Sequence, residues 1–390
     1  MNEKISLKLD NEDIVFADLT NHENLEVICV CKNGNIFLYY LENGNKTFLT
    51  KLPFDSVPNL LSDFNPMEIL ENLPPTELAQ LLENMPNEVE SIESIAAKNQ
   101  DFINSLSLNA KLYSFKNYVC IVQDKGTSGI VLDLTNPKFQ KKLERGDYHV
   151  GHCSFPIAFY EKDNQTFLIH GTDWNRLDIT CLETDELLTE RFVDCDTKSN
   201  YFDYFHSSLL MSPDSKHFTS NGWHWHPFGQ IYCFSADNFL QKFELSHQDV
   251  AVSEEDYYDL DWDRPLCWID NKTLAVGFNQ QICDEQQRKF PTEVLFFDIT
   301  ENKIARRINF NGFSLSSEGE VNGELFYDTE NQWLIGLNKK SGALIADVNG
   351  KEVYSNANLI SHKYSPKHRL FYQIDFKKQE ISFFEPKNQT

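Results

Sequence analysis

Short runs, some alternating between apolar and polar residues with a period of two and some wholly apolar, follow one another through most of this chain and are broken by Asn, Asp and Gly. That pattern predicts half-buried β-strands joined by tight hairpins. The first set is Asp13 to Leu19, Leu25 to Cys31, Asn35 to Leu41 and Lys46 to Leu52, joined by His22-Glu23-Asn24, Lys32-Asn33-Gly34 and Glu42-Asn43-Gly44-Asn45. Two joints carry Asn-Gly, whose residues tolerate the positive φ of a type I′ turn. Four hairpin-linked strands in about 40 residues make one propeller blade.

The unit recurs over 112–143, 155–191, 204–245, 262–310 and 324–354. Within 204–245 the closing strand is expected at Leu240 to Leu245. The last set, His362 to Glu385, supplies only three strands, and Ile5 to Leu9, alternating at the N-terminus, is the one left over. Adding it to the last set would close the ring and cover an open sheet edge. The expectation is an all-β, seven-bladed β-propeller: residues 1–57 hold the closing strand and first blade, 109–390 the remaining blades, with the last completed by residues 5–9.

Two segments, Met211-Ser212-Pro213-Asp214-Ser215-Lys216-His217-Phe218 and Tyr364-Ser365-Pro366-Lys367-His368-Arg369-Leu370, resemble the Ser-Pro-Asp-Gly-Lys turn between inner strands of WD40-like and TolB-like propellers. The Gly-His and Trp-Asp signatures of true WD40 repeats are missing. A narrower resemblance is to a family of bacterial propeller proteins with no established activity. It rests on His170-Gly171-Thr172-Asp173-Trp174-Asn175-Arg176-Leu177-Asp178, on Asp203-Tyr204-Phe205-His206 and on Gly222-Trp223-His224-Trp225-His226-Pro227. The resemblance implies a ring of blades; fold alone assigns no function.

Residues 58–108 break the alternation. Prolines at 66, 74, 75 and 86 separate three apolar stripes at helical spacing, the second built on Thr76, Leu78, Leu81 and Leu82. An acidic α-helical insertion is expected here, with nine carboxylates against Lys98 alone, a net of 1 − 9 = −8. Such stripes must be buried, either on the propeller itself as a lid or in a partner's groove. Leu78, Leu81, Leu82 and Glu83 are the candidate contacts.

The whole chain carries 35 basic and 59 acidic residues, a net charge of −24. That field repels phosphate backbones and anionic lipid, so neither nucleic acid nor a membrane is an expected partner, whereas a basic protein is favoured. The N-terminus lacks the apolar core of a secretory signal, and no run of apolar residues is long enough to span a bilayer. Nine cysteines, an odd number without C-x-x-C spacing, fit reduced thiols in the cytoplasm.

The familiar nucleophile-elbow, phosphate-loop, dinucleotide and zinc-helix motifs are absent, and no cofactor is implied. Three constellations are candidates. His224 and His226 fall on one side of an extended segment and could hold a metal with His149, His152, His170 or His206; the competing reading is a rigid aromatic plug formed with Trp223 and Trp225. Asp173, Trp174, Arg176 and Asp178 offer a cation, carboxylates and an aromatic face, with Trp174, Arg176 and Asp178 on one side of a strand; this is either a structural ion pair or a ligand site at the channel mouth. Asp259, Asp261, Asp263 and Asp270 have calcium-loop spacing, but Arg264 stands where such a loop needs Gly. The leading expectation is a non-enzymatic protein-binding propeller that uses its acidic insertion on a basic partner. The alternative is an enzyme or small-ligand or metal binder using His170, Arg176, His206 and His226 at the channel mouth.

Overall fold

The computed structural model describes residues 2–8, 14–31, 35–51, 110–189, 202–225, 228–242, 250–252, 263–278, 293–310, 323–338, 341–360 and 362–385. They form seven four-stranded antiparallel sheets arranged as a propeller. The first blade contains β2 (Ile14–Leu19), β3 (Glu26–Cys31), β4 (Asn35–Tyr40) and β5 (Asn45–Lys51); the second β6 (Ala110–Phe115), β7 (Tyr118–Gln123), β8 (Ser128–Asp133) and β9 (Asn136–Glu144). The third is β10 (Ile157–Lys162), β11 (Gln165–Asp173), β12 (Arg176–Cys181) and β13 (Glu186–Leu187), and the fourth β14 (Phe205–Met211), β15 (His217–His224), β16 (Phe228–Ser235) and β17 (Val250–Val252). The fifth is β18 (Leu266–Trp268), β19 (Thr273–Phe278), β20 (Glu293–Asp298) and β21 (Lys303–Asn309), and the sixth β22 (Glu324–Asp328), β23 (Trp333–Asn338), β24 (Gly342–Asp347) and β25 (Glu352–Asn356). In the seventh, β26 (Lys363–Ser365), β27 (Leu370–Asp375) and β28 (Glu380–Glu385) are joined by β1 (Asn2–Lys8), which pairs with β28 from Asn2↔Glu385 to Lys8↔Glu380. The two ends of the chain therefore share one sheet.

The core is divided among the seams. Alternate residues of a central strand face opposite neighbours: Val27, Cys29 and Cys31 pack with Tyr372, Ile381 and Phe383 of the seventh blade, while Ile28 and Val30 pack with Val119 and Ile121 of the second. Each of the seven seams holds one such cluster. Burial on both faces explains why these strands read as apolar runs rather than strict alternation.

An antiparallel meander sends its first-to-second and third-to-fourth connections to one face, and its second-to-third and blade-to-blade connections to the other. On the first face, here the turn face, connections are tight. Asp133, Asp298, Asp328 and Asp347 each end a strand, Asp270 lies two residues past one, and all five accept hydrogen bonds from backbone N–H groups two to four residues on. Asp163 and Asn164 both adopt positive φ, as a two-residue type I′ hairpin requires. The Ser-Pro-Asp turn closes in the expected way, with the Ser212 hydroxyl and the Lys216 N–H donating to Asp214. All the long connections but one leave from the opposite, loop face, including the 52–109 stretch between β5 and β6.

The exception corrects one strand expectation. Leu240 to Leu245 does not close the fourth blade: α1 (Ala236–Lys242) follows β16 on the turn face, and β17 supplies the fourth strand. Ser235 accepts from the Asn238 N–H as a helix cap, and Phe239 is buried at the seam, so capping and helical spacing override the apolar run. The helical insertion expected over 58–108 lies outside the described residues, with its candidate contacts Leu78, Leu81, Leu82 and Glu83. Among the described residues no helix is long and apolar enough to cross a membrane.

Candidate functional site

An eighth apolar cluster stands apart from the seams. It sits on the loop face above the junction of the third and fourth blades and is built from Cys153, Phe205 and Trp223, with Trp174 against it. Phe205 opens β14 and Trp223 lies near the end of β15; their paired positions in the sheet bring the rings into parallel stacking at 3.8 Å and 3°. Trp174 belongs to the two-residue turn after β11, where Asp173 Oδ1 accepts its N–H at 2.7 Å, and its ring meets Phe205 at 4.4 Å. The His206 N–H donates to the Trp174 carbonyl, tying the two blades together at this point.

Tyr148 and His149 come from the connection between the second and third blades. Arg145, buried, holds that connection by donating to the carbonyls of Gly126, Cys153 and Ser154 at 2.8–3.0 Å. His149 has φ +52°, immediately before a 3-10 turn at Val150–His152. Its imidazole stands nearly perpendicular to the rings of Tyr148, Phe205 and Trp223, and 5.1 Å from Trp225. Above this base lie Tyr148 and Trp225, 49% and 44% exposed, with their rings 6.4 Å apart and 23° from parallel. Phe228, also exposed, stacks on His224. Two of the six large exposed hydrophobic side chains among the described residues, Tyr148 and Trp225, thus meet here.

Beneath the aromatics runs a polar chain around the channel mouth. Lys111, at the start of β6, reaches Asp124 at 3.2 Å and Ser154 at 3.2 Å; the Ser154 N–H donates to Ser207 Oγ, and Ser207 and Ser208 donate to Asp263. Burial alone would lower the Lys111 ammonium, but Asp124, Tyr113 and Asp263 outweigh it and hold it above its ordinary range. Burial pushes Tyr113 up to about 12 and the Cys153 thiol up to about 12, so neither is a ready nucleophile at neutral pH. Trp223 Nε1 donates to that thiol at 3.1 Å.

The residues singled out by sequence divide into two groups. Trp174 and Trp223 enter the aromatic cluster, and Asp173 borders it. Arg176 and Asp178 lie on β12, the third strand from the channel, as an ion pair at 2.9 Å; Thr172 and Thr189 also donate to the buried Asp178 carboxylate. Trp174 does not continue their side of the strand, because β11 ends at Asp173 and the chain turns. His170 is buried beside Thr180 at 3.1 Å, and burial pushes it down to about 4. His206 bonds Ser220. His224 uses both ring nitrogens, on the Asp203 carbonyl at 2.6 Å and the Tyr232 hydroxyl at 2.7 Å, and burial lowers its pKa. His226 lies outside the described residues. No group of metal-ligating side chains assembles among the described residues. The calcium spacing fails structurally as well: Asp263 is on the loop face, Asp270 on the turn face, and β18 runs between them.

Tyr148, His149, Phe205, Cys153, Lys111 and Asp263 were not marked as a group by the sequence, since they come from four separate stretches. Single residues among them had a local signal: His149 as a metal candidate, Phe205 within the Asp203-to-His206 segment, and Asp263 in the calcium spacing.

Together these features define a class: a seven-bladed, WD40-like β-propeller with an aromatic platform on its loop face. The chain is similar in structure to one in a crystal structure of a mitotic checkpoint complex, at 8% identity and a TM-score of 0.53, over 99% of this chain and 96% of that one. At that identity the likeness is one of fold. No family model and no curated protein matches the chain.

Proposed function

We propose that this chain is a non-enzymatic binding propeller whose loop face takes a protein partner. The observation that carries the reading is the exposed pair Tyr148 and Trp225 on a rigid stacked base. Anchors of this kind lose little conformational entropy on binding and dominate protein interfaces. The strands that flank residues 52–109 end on the same face, and an acidic insertion contacting a partner through Leu78, Leu81, Leu82 and Glu83 would favour a basic one by steering. The seven described cysteines are all buried. His170, His206 and His224 are engaged in internal hydrogen bonds, which favours binding over acid–base chemistry.

Capture from native extract, quantified by mass spectrometry, tests this reading with three baits: the full chain, a Tyr148→Ala/Trp225→Ala variant, and a chain with 58–108 replaced by a Gly-Ser linker. Loss of the same partner from both altered baits is expected. An unchanged partner set with both would overturn the proposal.

A further inference from the structure

The platform is bordered by carboxylates on more than one side, and this gives its occupant a chemistry. Asp147 immediately precedes Tyr148, Asp173 precedes Trp174, and Asp203 lies two residues before Phe205; all three are exposed. Their placement is structural as well as sequential. Asp173 Oδ1 would meet a Cβ added at Gly146 at 2.6 Å, so this carboxylate lies directly against the segment that carries Asp147 and Tyr148. Asp203 is fixed on the other flank, where its carbonyl accepts from His224, the residue between Trp223 and Trp225. Of the nearby cations, Lys125 is exposed and acts on His152 and Cys153, Lys111 is paired with Asp124, and Arg145 is buried and committed to backbone carbonyls.

The exposed rings stand next to these carboxylates: Tyr148 and Trp225 are 6.4 Å apart and 23° from parallel, and both are at the surface. The negative face of an aromatic ring prefers a positive edge, and a planar N–H-bearing cation suits it best. A guanidinium can stack on the exposed rings while its fork donates to a carboxylate, which an ammonium does less well.

Resting on the binding reading above, we propose that the Tyr148/Trp225 platform is an arginine-recognition site for an exposed basic segment of a protein partner, with the ring faces and Asp147, Asp173 and Asp203 sharing the guanidinium.

The test uses three peptides of alternating glycine with arginine, lysine or citrulline, titrated into the full chain and followed by tryptophan fluorescence and calorimetry. Citrulline keeps the shape of arginine without its charge. Arginine peptide is expected to bind at least about five-fold more tightly than citrulline peptide. Removing both exposed rings in Tyr148→Ala/Trp225→Ala should weaken the arginine peptide by a similar factor, and Asp173→Asn/Asp203→Asn by a smaller one. Both residue pairs are at the surface, and near-ultraviolet circular dichroism verifies folding. Equal affinity for arginine and citrulline peptides would overturn the cation assignment while leaving the platform as a docking surface. Arginine binding unchanged by loss of both rings would overturn the site itself, because net charge alone would then account for it. A lysine peptide that binds as well as arginine would overturn the guanidinium preference.

Discussion

The two faces of this ring are built on different rules. On the turn face, most connections are short: an aspartate at a strand end satisfies the next few N–H groups, and the links from blade to blade are exposed ion pairs such as Lys116–Glu161, Lys162–Asp237, Lys367–Glu23 and Arg369–Glu330. On the loop face, the same blades send out long connections, and groups from the second to the fifth blade meet in one polar and aromatic assembly. The loop face has aromatic area in excess of what its own core covers, and that excess is where binding is expected.

Removing residues 1–10 has the largest expected effect, because β1 closes the seventh sheet and its loss exposes the edge of β28. A loss of more than about 5 kcal/mol, or outright aggregation, is expected in chemical denaturation. Retention of the full chain's midpoint would show that the ring holds without that strand.

The face comparison itself is sharpened by two substitutions. Phe205→Ala empties a fully buried site stacked against Trp223 and should cost roughly 3–5 kcal/mol. Asp298→Ala on the turn face removes acceptors for Thr300 and Glu301 and should cost about 1 kcal/mol. Comparable losses would contradict the claim that the aspartate turns of that face are local and replaceable.

A pH effect lies between these two. His170 falls from an ordinary 6.5 to about 4 through burial, so the unfolded chain binds a proton that the folded chain refuses across that window. Stability is full above pH 6.5 and declines as pH falls toward 4, by on the order of 3 kcal/mol for this one group. His170→Gln, which keeps a polar partner for Thr180, should flatten that part of the profile. An unaltered slope would assign the acid sensitivity to other groups.

Much of the ring was legible because blades are written in a local code: period-two runs, Asn-Gly and Ser-Pro-Asp turns, and a last set short by one strand that points to the N-terminus. The helix α1 was not, since a Ser cap and one buried Phe decide it within an otherwise strand-like stretch. The platform was legible only in fragments. Trp174 and Trp223 stood out in their segments, but Tyr148 joins them from a different connection, and sequence spacing carries no information about which connections converge on a face. Arg176 and Asp178 read equally well as a channel-mouth site or a structural pair; strand order decides, placing them on the third strand out.

The most direct test of the account is site-specific photo-crosslinking from the two faces in native cells. A photoreactive phenylalanine analogue placed at Tyr148 or Trp225 should yield a discrete protein adduct, and the same group at the exposed turn-face residue Glu301 should yield none. Adducts from position 301, with none from 148 or 225, would contradict the assignment of binding to the loop face.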